Sequence, residues 1–377
     1  MMKLQLGVLF GGKSVEHDIS IITAVQVMKN LDDTLYDIIP LYLDKDNLLL
    51  SSPYLKDLKT FQLGVPIDKK RCRVFLYKDQ GGYKYRFLHK RCKNGAKIDL
   101  ILPLVHGMGV EDGTVAGMLE MVGIPYTSAE VGPSALVQDK AWTKDVLKRH
   151  GIMCLPFIEV RSETVSDIPF SLPLILKPAH LGSSIGIEII REYEELPEKI
   201  SQVLLYDDKA ILEPLLTNFR EFNCAVLKTN KGYTASEIEE IVVQNTFYAF
   251  SDKYEKNQTV ELSKITGAGN RQIPAKIPIE LKKEIEETTV KIAEVLDLKG
   301  IVRIDYLYDK DRENLYVNEI NPIPGSLSFY LFEKKGLSFP ELLNQLIKST
   351  LIHHYQKQKK ITSFSSSVLN KNNLINK

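Results

Sequence analysis

The chain of 377 residues has no excess of charge of either sign. Its 49 lysines and arginines are balanced by 48 aspartates and glutamates, which leaves a formal net charge of +1. Such a balance produces no overall field that would attract nucleic acid or an acidic membrane surface. We therefore expect small-molecule partners, and neither nucleic acid nor a membrane. A chain of this length can form two or three domains.

Long apolar segments and paired cysteines are also missing. No stretch is long and apolar enough to span a bilayer, and the apolar run in the start, MMKLQLGVLF, is too short for a signal peptide. The four cysteines form no C-x-x-C pair and have no histidine partner at zinc spacing. Cys72 and Cys92 flank a predicted hairpin, but a reducing cytosol favours free thiols. We expect a cytoplasmic protein without structural disulfides.

One stretch that is present, GVLFGGKS from Gly7 to Ser14, matches the phosphate-loop pattern G-x-x-x-x-G-K-[ST]. In a true phosphate loop the strand ends before the first glycine, so that the following backbone N–H groups point at phosphate oxygens. Here the apolar run Leu4–Phe10 continues through Gly7, which predicts a buried strand followed by a turn at Gly11-Gly12. The match is therefore interpreted as accidental.

The first third of the chain alternates strand and helix patterns, which predicts an α/β domain with a parallel sheet over residues 1–128. The helix after the first strand is expected to have Ser20 as its N-cap. A looser insertion at 51–97 carries a hairpin that turns at Gly81-Gly82. The predicted strands are Leu4–Phe10, YDIIPLYL and IDLILPLVHG, and the small-residue helix is GTVAGMLEMVG.

Beyond residue 128 the pattern changes. The segment SALVQDKAWTKDVLKRHG predicts one helix that closes on Gly151. It belongs to a smaller α+β lobe over 129–212, with strands in PFIEV, PLILKP and AILEPLL. A second lobe over 213–355 is mostly strand, with a long polar stretch at 245–272 and a helix at 279–296. The end, 356–377, is poor in core-forming residues and is predicted to be a disordered tail.

The strand pair GIVRIDYLY and LYVNEIN concentrates polar side chains. Because side chains alternate along a strand, Arg303 and Asp305 share one face, as do Glu319 and Asn321 on the returning strand. Three oxygen ligands can then converge beside a guanidinium, and such oxygen ligands suit Mg²⁺. The alternative is an edge hairpin whose charges face water, but the proline and glycine residues that follow favour an ordered loop.

Two further stretches carry candidate nucleotide contacts. In LILKPAHLGSSIGI an apolar strand leads to Lys177 and a loop of glycine and serine. That pattern suits polyphosphate, because small residues let backbone N–H groups approach the oxygens, although such loops alone are more often plain turns. In AILEPLL, Glu213 ends an apolar strand, where its carboxylate either accepts from the adenine amine or is simply exposed.

Together these motifs resemble those of the D-alanine–D-alanine ligase family, within the ATP-grasp superfamily. The resemblance covers about Leu4 to Ile347, with the insertion and the tail outside it. It implies an N-terminal Rossmann-like α/β domain followed by a two-lobed α+β ATP-grasp fold. The motifs that carry it are LFGGKSVEHDIS, LVHGMGVEDGTVAGMLEMVGIPYT, SALVQDKAWTK, LKPAHLGSSIG, FYAFSDKY, RIDYLY and NEINPIPG.

The resemblance implies roles for individual residues. The contact to the ammonium group of the first substrate falls on Glu16, so the apparent phosphate loop becomes a substrate loop. Ser183 and Tyr254 match hydrogen-bonding partners of that glutamate. Arg303 and the backbone N–H of Gly325 match the donors that hold the tetrahedral intermediate. The nucleotide contacts fall on Lys140, Lys177, Glu213, Glu221 and Lys253, and the metal ligands on Asp305, Glu319 and Asn321.

The implied activity joins two D-alanines into D-alanyl-D-alanine for peptidoglycan precursor synthesis. ATP phosphorylates one carboxylate, with two Mg²⁺ or Mn²⁺ ions neutralising charge, and the second amine then attacks the acyl phosphate. Because water would destroy that intermediate, residues 245–272 are expected to form a lid. The family also suggests a homodimer. The alternatives are a D-alanine–D-serine or D-lactate ligase, another ATP-grasp carboxylate–amine ligase, and a nucleotide-binding protein without catalysis.

One part of the chain departs from the family pattern. After the glycine of the N-x-x-P-G loop the family usually has a His-Ser pair whose serine holds the carboxylate of the second substrate, whereas this chain has Phe329 and Tyr330. A phenol donates the same hydrogen bond, but its oxygen lies further from the backbone. We expect the hydroxyl to come from Tyr330, or from Ser328 and Ser326, with D-alanine still the second substrate.

Overall fold

The computed structural model describes residues 2–64, 67–89, 95–163, 165, 167–182, 184–242 and 271–363. Three residues predicted for the site, Ser183, Lys253 and Tyr254, lie outside the described residues. So do Cys92, nearly all of the expected lid, and residues 364–377 of the expected tail. What the sequence predicts for these residues stays a prediction.

The strands and helices of the described residues alternate first and then segregate. The strands are β1 (Leu4–Gly11), β2 (Tyr36–Leu43), β3 (Leu49–Leu50), β4 (Val74–Asp79), β5 (Gly82–Phe87), β6 (Ala96–Lys97), β7 (Leu100–Pro103), β8 (Ile158–Val160), β9 (Leu174–Pro178), β10 (Glu188–Ile190), β11 (Ala210–Pro214), β12 (Phe219–Thr229), β13 (Gly232–Ile241), β14 (Arg271–Gln272), β15 (Ile301–Asp309) and β16 (Asn314–Asn321). The helices are α1 (His17–Asn30), α2 (Leu58–Gln62), α3 (Lys69–Cys72), α4 (Thr114–Val122), α5 (Val131–Gln138), α6 (Lys140–Arg149), α7 (Leu196–Leu204), α8 (Ile279–Val295), α9 (Phe329–Glu333) and α10 (Phe339–Gln358).

The N-terminal sheet has the order β3-β2-β1-β7. Strand β1 pairs in parallel with β2 and with β7, which confirms the predicted parallel sheet, and β3 is an antiparallel edge strand. Gly7 lies inside β1, where an added Cβ would stand 2.6 Å from Cδ1 of Ile98. The strand therefore runs through the first glycine of the apparent phosphate loop, as predicted.

The segment Gly11–Ser14 is a turn whose backbone donors are used within the protein. The N–H of Gly12 donates to the carbonyl of Leu43 at 2.7 Å, and the N–H of Lys13 donates to Oδ1 of Asn47 at 2.9 Å. A phosphate loop needs these groups free to face phosphate oxygens. The match to the phosphate-loop pattern is therefore accidental.

Helix α1 begins earlier than the sequence predicts. It starts at His17 with Glu16 in the N-cap position, so the expectation that Ser20 caps it is wrong. Ser20 is buried within the helix, where its Oγ accepts from the Gly11 N–H at 2.7 Å and donates to the Leu104 carbonyl at 2.6 Å. Its hydroxyl thus joins the ends of two neighbouring strands rather than capping a helix.

The insertion forms a small antiparallel sheet of order β4-β5-β6. Its hairpin turns at Gly81-Gly82, as predicted, and Gly82 has a φ of 104°, which favours glycine. Cys72, just before this sheet, is a free thiol in the structure.

The segment predicted as one helix forms two, α5 and α6. Asp139 separates them with extended backbone angles, and its Oδ1 accepts from the N–H groups of Ala141 and Trp142 at 2.9 and 3.0 Å. A carboxylate that binds two free N–H groups in this way begins a new helix. Gly151 follows the end of α6 with a φ of 67°, as the predicted closing glycine requires.

The two remaining sheets are antiparallel. The central one has the order β10-β9-β11-β8 and is covered by α7, whose Leu196, Ile200 and Val203 join its core. The C-terminal one has the order β14-β13-β12-β15-β16, and α8 packs Ile285 and Ile292 against it. The register of β15 against β16 shifts between Asp305 and Tyr306, and this bulge leaves Asn318 without a partner residue in the ladder.

The last helix, α10, ties the end of the described chain back to its beginning. Its Phe339, Leu342 and Leu346 belong to the same apolar core as the N-terminal sheet. The helix ends at Gln358, so the expectation of disorder from residue 356 onward is wrong for its first three residues. The domain limits at 128, 212 and 355 stay predictions. Among the described residues, no helix has the length and apolar character needed to cross a membrane.

Candidate active site

Two adjoining cavities bring most of the predicted site residues together. The larger, of about 120 Å³, is lined among others by Glu16, Lys140, Arg303, Glu319, Asn321, Gly325 and Tyr330. The smaller, of about 80 Å³, is lined among others by Lys140, Lys177, Glu221, Asp305 and Glu319. They share a wall of Lys140, Leu181, Asn318 and Glu319. Two compounds bound side by side in these cavities would therefore meet at a lysine and a glutamate.

The strand pair β15–β16 supplies the charged floor of the site. Arg303 stands opposite Asn321 in the ladder, and Asp305 stands opposite Glu319, as the predicted hairpin requires. The guanidinium of Arg303 donates from Nε and Nη2 to the two carboxylate oxygens of Asp305 at 2.6 and 2.7 Å. Nδ2 of Asn321 also donates to Asp305, at 3.2 Å. The bidentate pair orients both the arginine and the carboxylate.

The oxygen atoms gathered here fit a divalent cation. Burial, with the negative charges of Glu319 and Glu221, raises the pKa of Asp305 to about 6 against the opposing effect of Arg303. A buried carboxylate beside other carboxylates is the arrangement that a bound cation stabilises. Asp305, Glu319 and the amide oxygen of Asn321 are hard donors of the kind that Mg²⁺ and Mn²⁺ prefer.

Glu213 is a buried carboxylate held between two lysines. Its Oε1 lies 2.6 Å from Nζ of Lys144, and its Oε2 lies 2.8 Å from Nζ of Lys177. Burial would raise the pKa of Glu213, but the two ammonium groups hold it at about 2. The alternative that this carboxylate is merely exposed is therefore wrong. Lys144 was not predicted, although its place in the motif SALVQDKAWTK was a signal for it.

Side chains of α5 and α6 donate hydrogen bonds to the backbone at the start of the glycine–serine loop after β9. Nζ of Lys140 donates to the carbonyl of Leu181, and Nε2 of Gln138 donates to the carbonyl of His180. The imidazole of His180 lies between two carboxylates, with Nδ1 2.9 Å from Oδ1 of Asp207 and Nε2 3.2 Å from Oδ2 of Asp139. These contacts fix the backbone of the loop at His180 and Leu181, and the sequence reasoning missed them.

Glu16 reaches the same loop from the N-terminal part of the chain. An added Cβ on Gly107 would stand 3.0 Å from Oε2 of Glu16, and one on Gly182 would stand 3.7 Å from both oxygens. Its carboxylate therefore lies between these two glycines. Glu16, which is predicted to bind the substrate ammonium group, and the glycine–serine loop after β9, which is predicted to bind phosphate, are therefore neighbours in space.

The loop after β16 and the start of α9 place one of the three candidate hydroxyls in the larger cavity. Tyr330 lines that cavity, while Ser328 is fully buried outside it and its Oγ has no hydrogen-bond partner among the described residues. Ser326 donates its hydroxyl to Oε1 of Gln26 at 2.6 Å. The geometry favours Tyr330 over both serines as the hydroxyl that faces a ligand.

Glu239 organises a second polar group beside Tyr330. The tyrosine hydroxyl donates to Oε2 of Glu239 at 3.3 Å, and Nη1 of Arg271 lies 3.3 Å from Oε1. Nδ2 of Asn223 also donates to Oε2, at 3.0 Å. Burial, together with the charge of Glu239, raises the pKa of Tyr330 to about 12, so the phenol keeps its proton. No sequence motif pointed to Glu239 or Arg271.

Comparison with known proteins assigns the whole chain to one family. The family model described as D-ala D-ala ligase N-terminus matches residues 5–129, and the one described as D-ala D-ala ligase C-terminus matches residues 146–348. A D-alanine–D-alanine ligase of Thermosipho melanesiensis is 37% identical over 371 residues, covering 97% of this chain and 98% of that protein. One of Clostridium novyi is 32% identical, covering 92% of this chain and 98% of that protein.

Solved structures agree with these relatives. The D-alanine–D-alanine ligase of Helicobacter pylori has a TM-score of 0.71 at 27% identity, covering 92% of this chain and 98% of that one. The VanG D-Ala:D-Ser ligase of Enterococcus faecalis has a TM-score of 0.75 at 27% identity, covering 92% and 99%. The expected α/β domain followed by an ATP-grasp fold is confirmed. The chain belongs to the D-alanine–D-alanine ligase family, as its motifs predicted.

Proposed function

We propose that this chain is an ATP-dependent ligase that joins two D-alanines into D-alanyl-D-alanine for peptidoglycan precursor synthesis. The observation that carries the proposal is the shared wall of the two cavities. On one side it adjoins Lys177 and Glu221, which suit a nucleotide, and on the other Glu16 and Arg303, which suit an amino acid. A phosphoryl group would pass from the first compound to the second at this wall.

The nucleotide side binds and orients ATP. Lys140 and Lys177 present ammonium groups to the phosphates, and Glu221 at the start of β12 is placed for the ribose hydroxyls. Both oxygens of Glu213 face lysines, and the side chain is fully buried and lines neither cavity, so we infer that it positions Lys177 for the phosphates instead of meeting the adenine amine. Asp305, Glu319 and Asn321 would hold two Mg²⁺ or Mn²⁺ ions, which when bound neutralise charge on the transferred phosphoryl group.

The amino-acid side holds the two carboxylate-bearing substrates. The carboxylate of Glu16 accepts from the ammonium group of the first D-alanine. Arg303, held in place by Asp305, and the N–H of Gly325 donate to the oxyanion that forms when the second amine attacks the acyl phosphate. The hydroxyl of Tyr330 would turn from Glu239 to donate to the carboxylate of the second D-alanine. Ser183, Lys253 and Tyr254 are proposed to complete this side.

The choice of second substrate is the part most in need of a test. D-Serine or D-lactate is the alternative, since one structural relative is named a D-Ala:D-Ser ligase. Phosphate release from ATP should be measured with D-alanine alone and with D-alanine plus D-serine or D-lactate. We expect D-alanine alone to support full turnover. Equal or faster release with either competitor, together with formation of the mixed product, would reassign the specificity.

The metal assignment is tested with variants of the same protein. Asp305→Asn and Glu319→Gln should each lower phosphate release by about 100-fold or more at ordinary Mg²⁺, because each removes an anionic ligand. The matched control is Glu284→Gln, since Glu284 is exposed on α8 and lines neither cavity. Near-native rates in the two site variants would exclude these residues as ligands.

A homodimer and a cytoplasmic location are also proposed, on the strength of the family resemblance. Light scattering on the purified chain would give a mass near 86 kDa for a dimer, twice the 42.8 kDa of one chain. A mass of one chain at micromolar concentration would reject the dimer.

A further inference from the structure

A third cavity, of about 760 Å³, lies away from the candidate active site. It is lined by the β4–β5 hairpin, the segment after α4, the β12–β13 turn and the end of α10. It shares no lining residue with the two cavities of the active site. Its size is within the range of small-molecule sites, about 300–1,000 Å³. The ligase reaction leaves this cavity without a role.

The lining of the third cavity is strongly basic, although the chain as a whole is nearly neutral. Its only carboxylates among the described residues are Glu120 and Glu130. The lysines that line it are Lys78, Lys228, Lys231, Lys299, Lys357 and Lys360. The positive charge is therefore a local feature of this cavity and does not follow from composition.

Both glutamates are already neutralised within the wall. Nζ of Lys357 lies 2.6 Å from Oε1 of Glu120 and 3.0 Å from Oε1 of Glu130. Nζ of Lys299 lies 2.8 Å from Oε2 of Glu130. Burial would raise the pKa of Glu130, but these lysines hold it at about 2. Glu120 and Glu130 thus form ion pairs with Lys299 and Lys357, and four further lysines of the lining remain to be considered.

The four other lysines have no carboxylate within 4 Å in the part of the chain that the structure describes. Two of them rest against aromatic rings: Nζ of Lys228 is 3.7 Å from the ring centre of Tyr233, and Nζ of Lys78 is 5.3 Å from that of Tyr83. Like charges that face one cavity repel each other, and a bound anion relieves that repulsion. The four come from β4, from β12 and the turn after it, and from the residues just after α10, so they surround the cavity instead of forming one patch.

We propose that the third cavity binds a small polyanion with two or more phosphate or carboxylate groups. A ligand with several anionic groups matches cations that approach from three elements better than a single group does. Because the walls come from both ends of the chain, the ligand would stabilise the contact between the β4–β5 hairpin and α10. The proposal does not depend on which amino acids the enzyme joins.

The test uses the full-length chain and two defined probes, pyrophosphate and citrate. Each is titrated calorimetrically at about 0.15 M salt, where weak surface attraction is screened. Wild type is compared with Lys228→Gln/Lys231→Gln and with the control Lys45→Gln/Lys291→Gln, whose two lysines are exposed and do not line the cavity. The single variant Lys360→Gln is also measured. It changes a residue beyond the end of α10 and therefore does not disturb the sheets.

We expect wild type and control to bind at least one probe equally, with affinity reduced tenfold or more in the double cavity variant and several-fold in Lys360→Gln. Binding of both probes would mean that the cavity recognises negative charge alone. Binding of pyrophosphate without citrate would mean that it recognises phosphate groups. Phosphate release from ATP with D-alanine should be unchanged in all variants, which shows that they fold. Identical isotherms for all four proteins would place any probe binding outside the third cavity and would overturn the proposal.

Discussion

At the scale of single residues, the site depends on charges that are buried in pairs. Glu213 is fully buried and ion-paired to Lys144 and Lys177, and Asp305 is buried and bonded to Arg303. A buried charge that loses its partner is costly, because nothing else compensates for the lost hydration. These pairs therefore make the orientation of the catalytic groups sensitive to residues that touch no substrate.

Lys144→Met should show this sensitivity. It removes one of the two cations beside Glu213, so we expect the free energy of unfolding at pH 7 to fall by about 3 kcal/mol and the KM for ATP to rise. The control is Lys148→Met, one turn further along α6, where the lysine is exposed. Urea denaturation and initial-rate kinetics measure both effects. Equal behaviour of the two variants would mean that Lys144 does not hold Glu213 in place.

His180 predicts a dependence of stability on pH. Hydrogen bonds to Asp139 and Asp207 raise its pKa from 6.5 to about 9, against the effect of burial. Folding thus favours the protonated ring, and this stabilisation is complete below about pH 6.5 and lost as the pH rises through about 9. At most about 3 kcal/mol is involved. The melting temperature measured from pH 6 to 9.5 should therefore fall in wild type and in the control His150→Gln. It should fall less in His180→Gln. A parallel decline in all three would refute the assignment.

At the scale of elements, the loop between β16 and α9 decides which hydroxyl meets the substrate. Ser326, Leu327 and Ser328 all have positive φ, near 50°, which is costly for residues with a side chain. This conformation turns Ser328 into the protein and brings Tyr330 to the cavity. A loop of three left-handed residues thus brings a tyrosine to the cavity, and we propose that this tyrosine takes the place of the family's serine.

Tyr330→Phe and Ser328→Ala should therefore differ. Tyr330→Phe removes a donor that lines the cavity, so the KM for the second D-alanine should rise about tenfold or more. Ser328→Ala removes a buried hydroxyl that has no partner among the described residues, so stability should be unchanged or slightly higher and the KM unaffected. Kinetics with varied D-alanine separate the two sites. A change in KM only for Ser328→Ala would reverse the assignment.

At the scale of the whole molecule, the end of α10 fastens the last part of the chain to the N-terminal region. Lys357 pairs with Glu120 and Glu130, and Nε2 of His354 lies 3.3 Å from the hydroxyl of Tyr83 in the insertion. The insertion and the chain end, which the recognised motifs did not include, therefore meet each other. The expectation that the insertion lies outside the family is wrong, since the N-terminal family model matches residues 5–129. Because the sequence predicts a disordered tail over 356–377, it also predicts that deletion of residues 357–377 has no effect.

The structure changes that expectation. A chain that ends at Gln356 loses Lys357 and its two ion pairs, so its free energy of unfolding should fall by about 1 kcal/mol, a small value because the lysine is partly exposed. A chain that ends at Lys360 keeps them and is the control. Thermal melts and D-alanine-dependent phosphate release should show a lower melting temperature only for the shorter chain, with activity retained in both. Equal melting temperatures would mean that these pairs contribute nothing.

Local patterns in the chain were sufficient to predict most of the longer strands, the parallel N-terminal sheet, the antiparallel β15–β16 pair and the family, whereas the short strands β3, β6, β10 and β14 were missed. Alternation along a strand depends only on neighbouring residues, which is why Arg303 and Asp305 were correctly placed on one face. The helix limits were less certain, because Ser20 and Asp139 both resemble caps. Only their hydrogen-bond partners distinguish them. Ser20 bonds the ends of two strands, whereas Asp139 begins α6 and so separates it from α5.

Contacts between residues far apart in the chain were decided by tertiary packing. Lys144 meets Glu213, and Tyr330 meets Glu239, across separations of 69 and 91 residues that no local pattern encodes. The basic cavity likewise needs four elements from both ends of the chain to meet before its lysines face one another. Sequence periodicity reports which face of an element is buried, whereas the charges that share a cavity depend on how the sheets pack together.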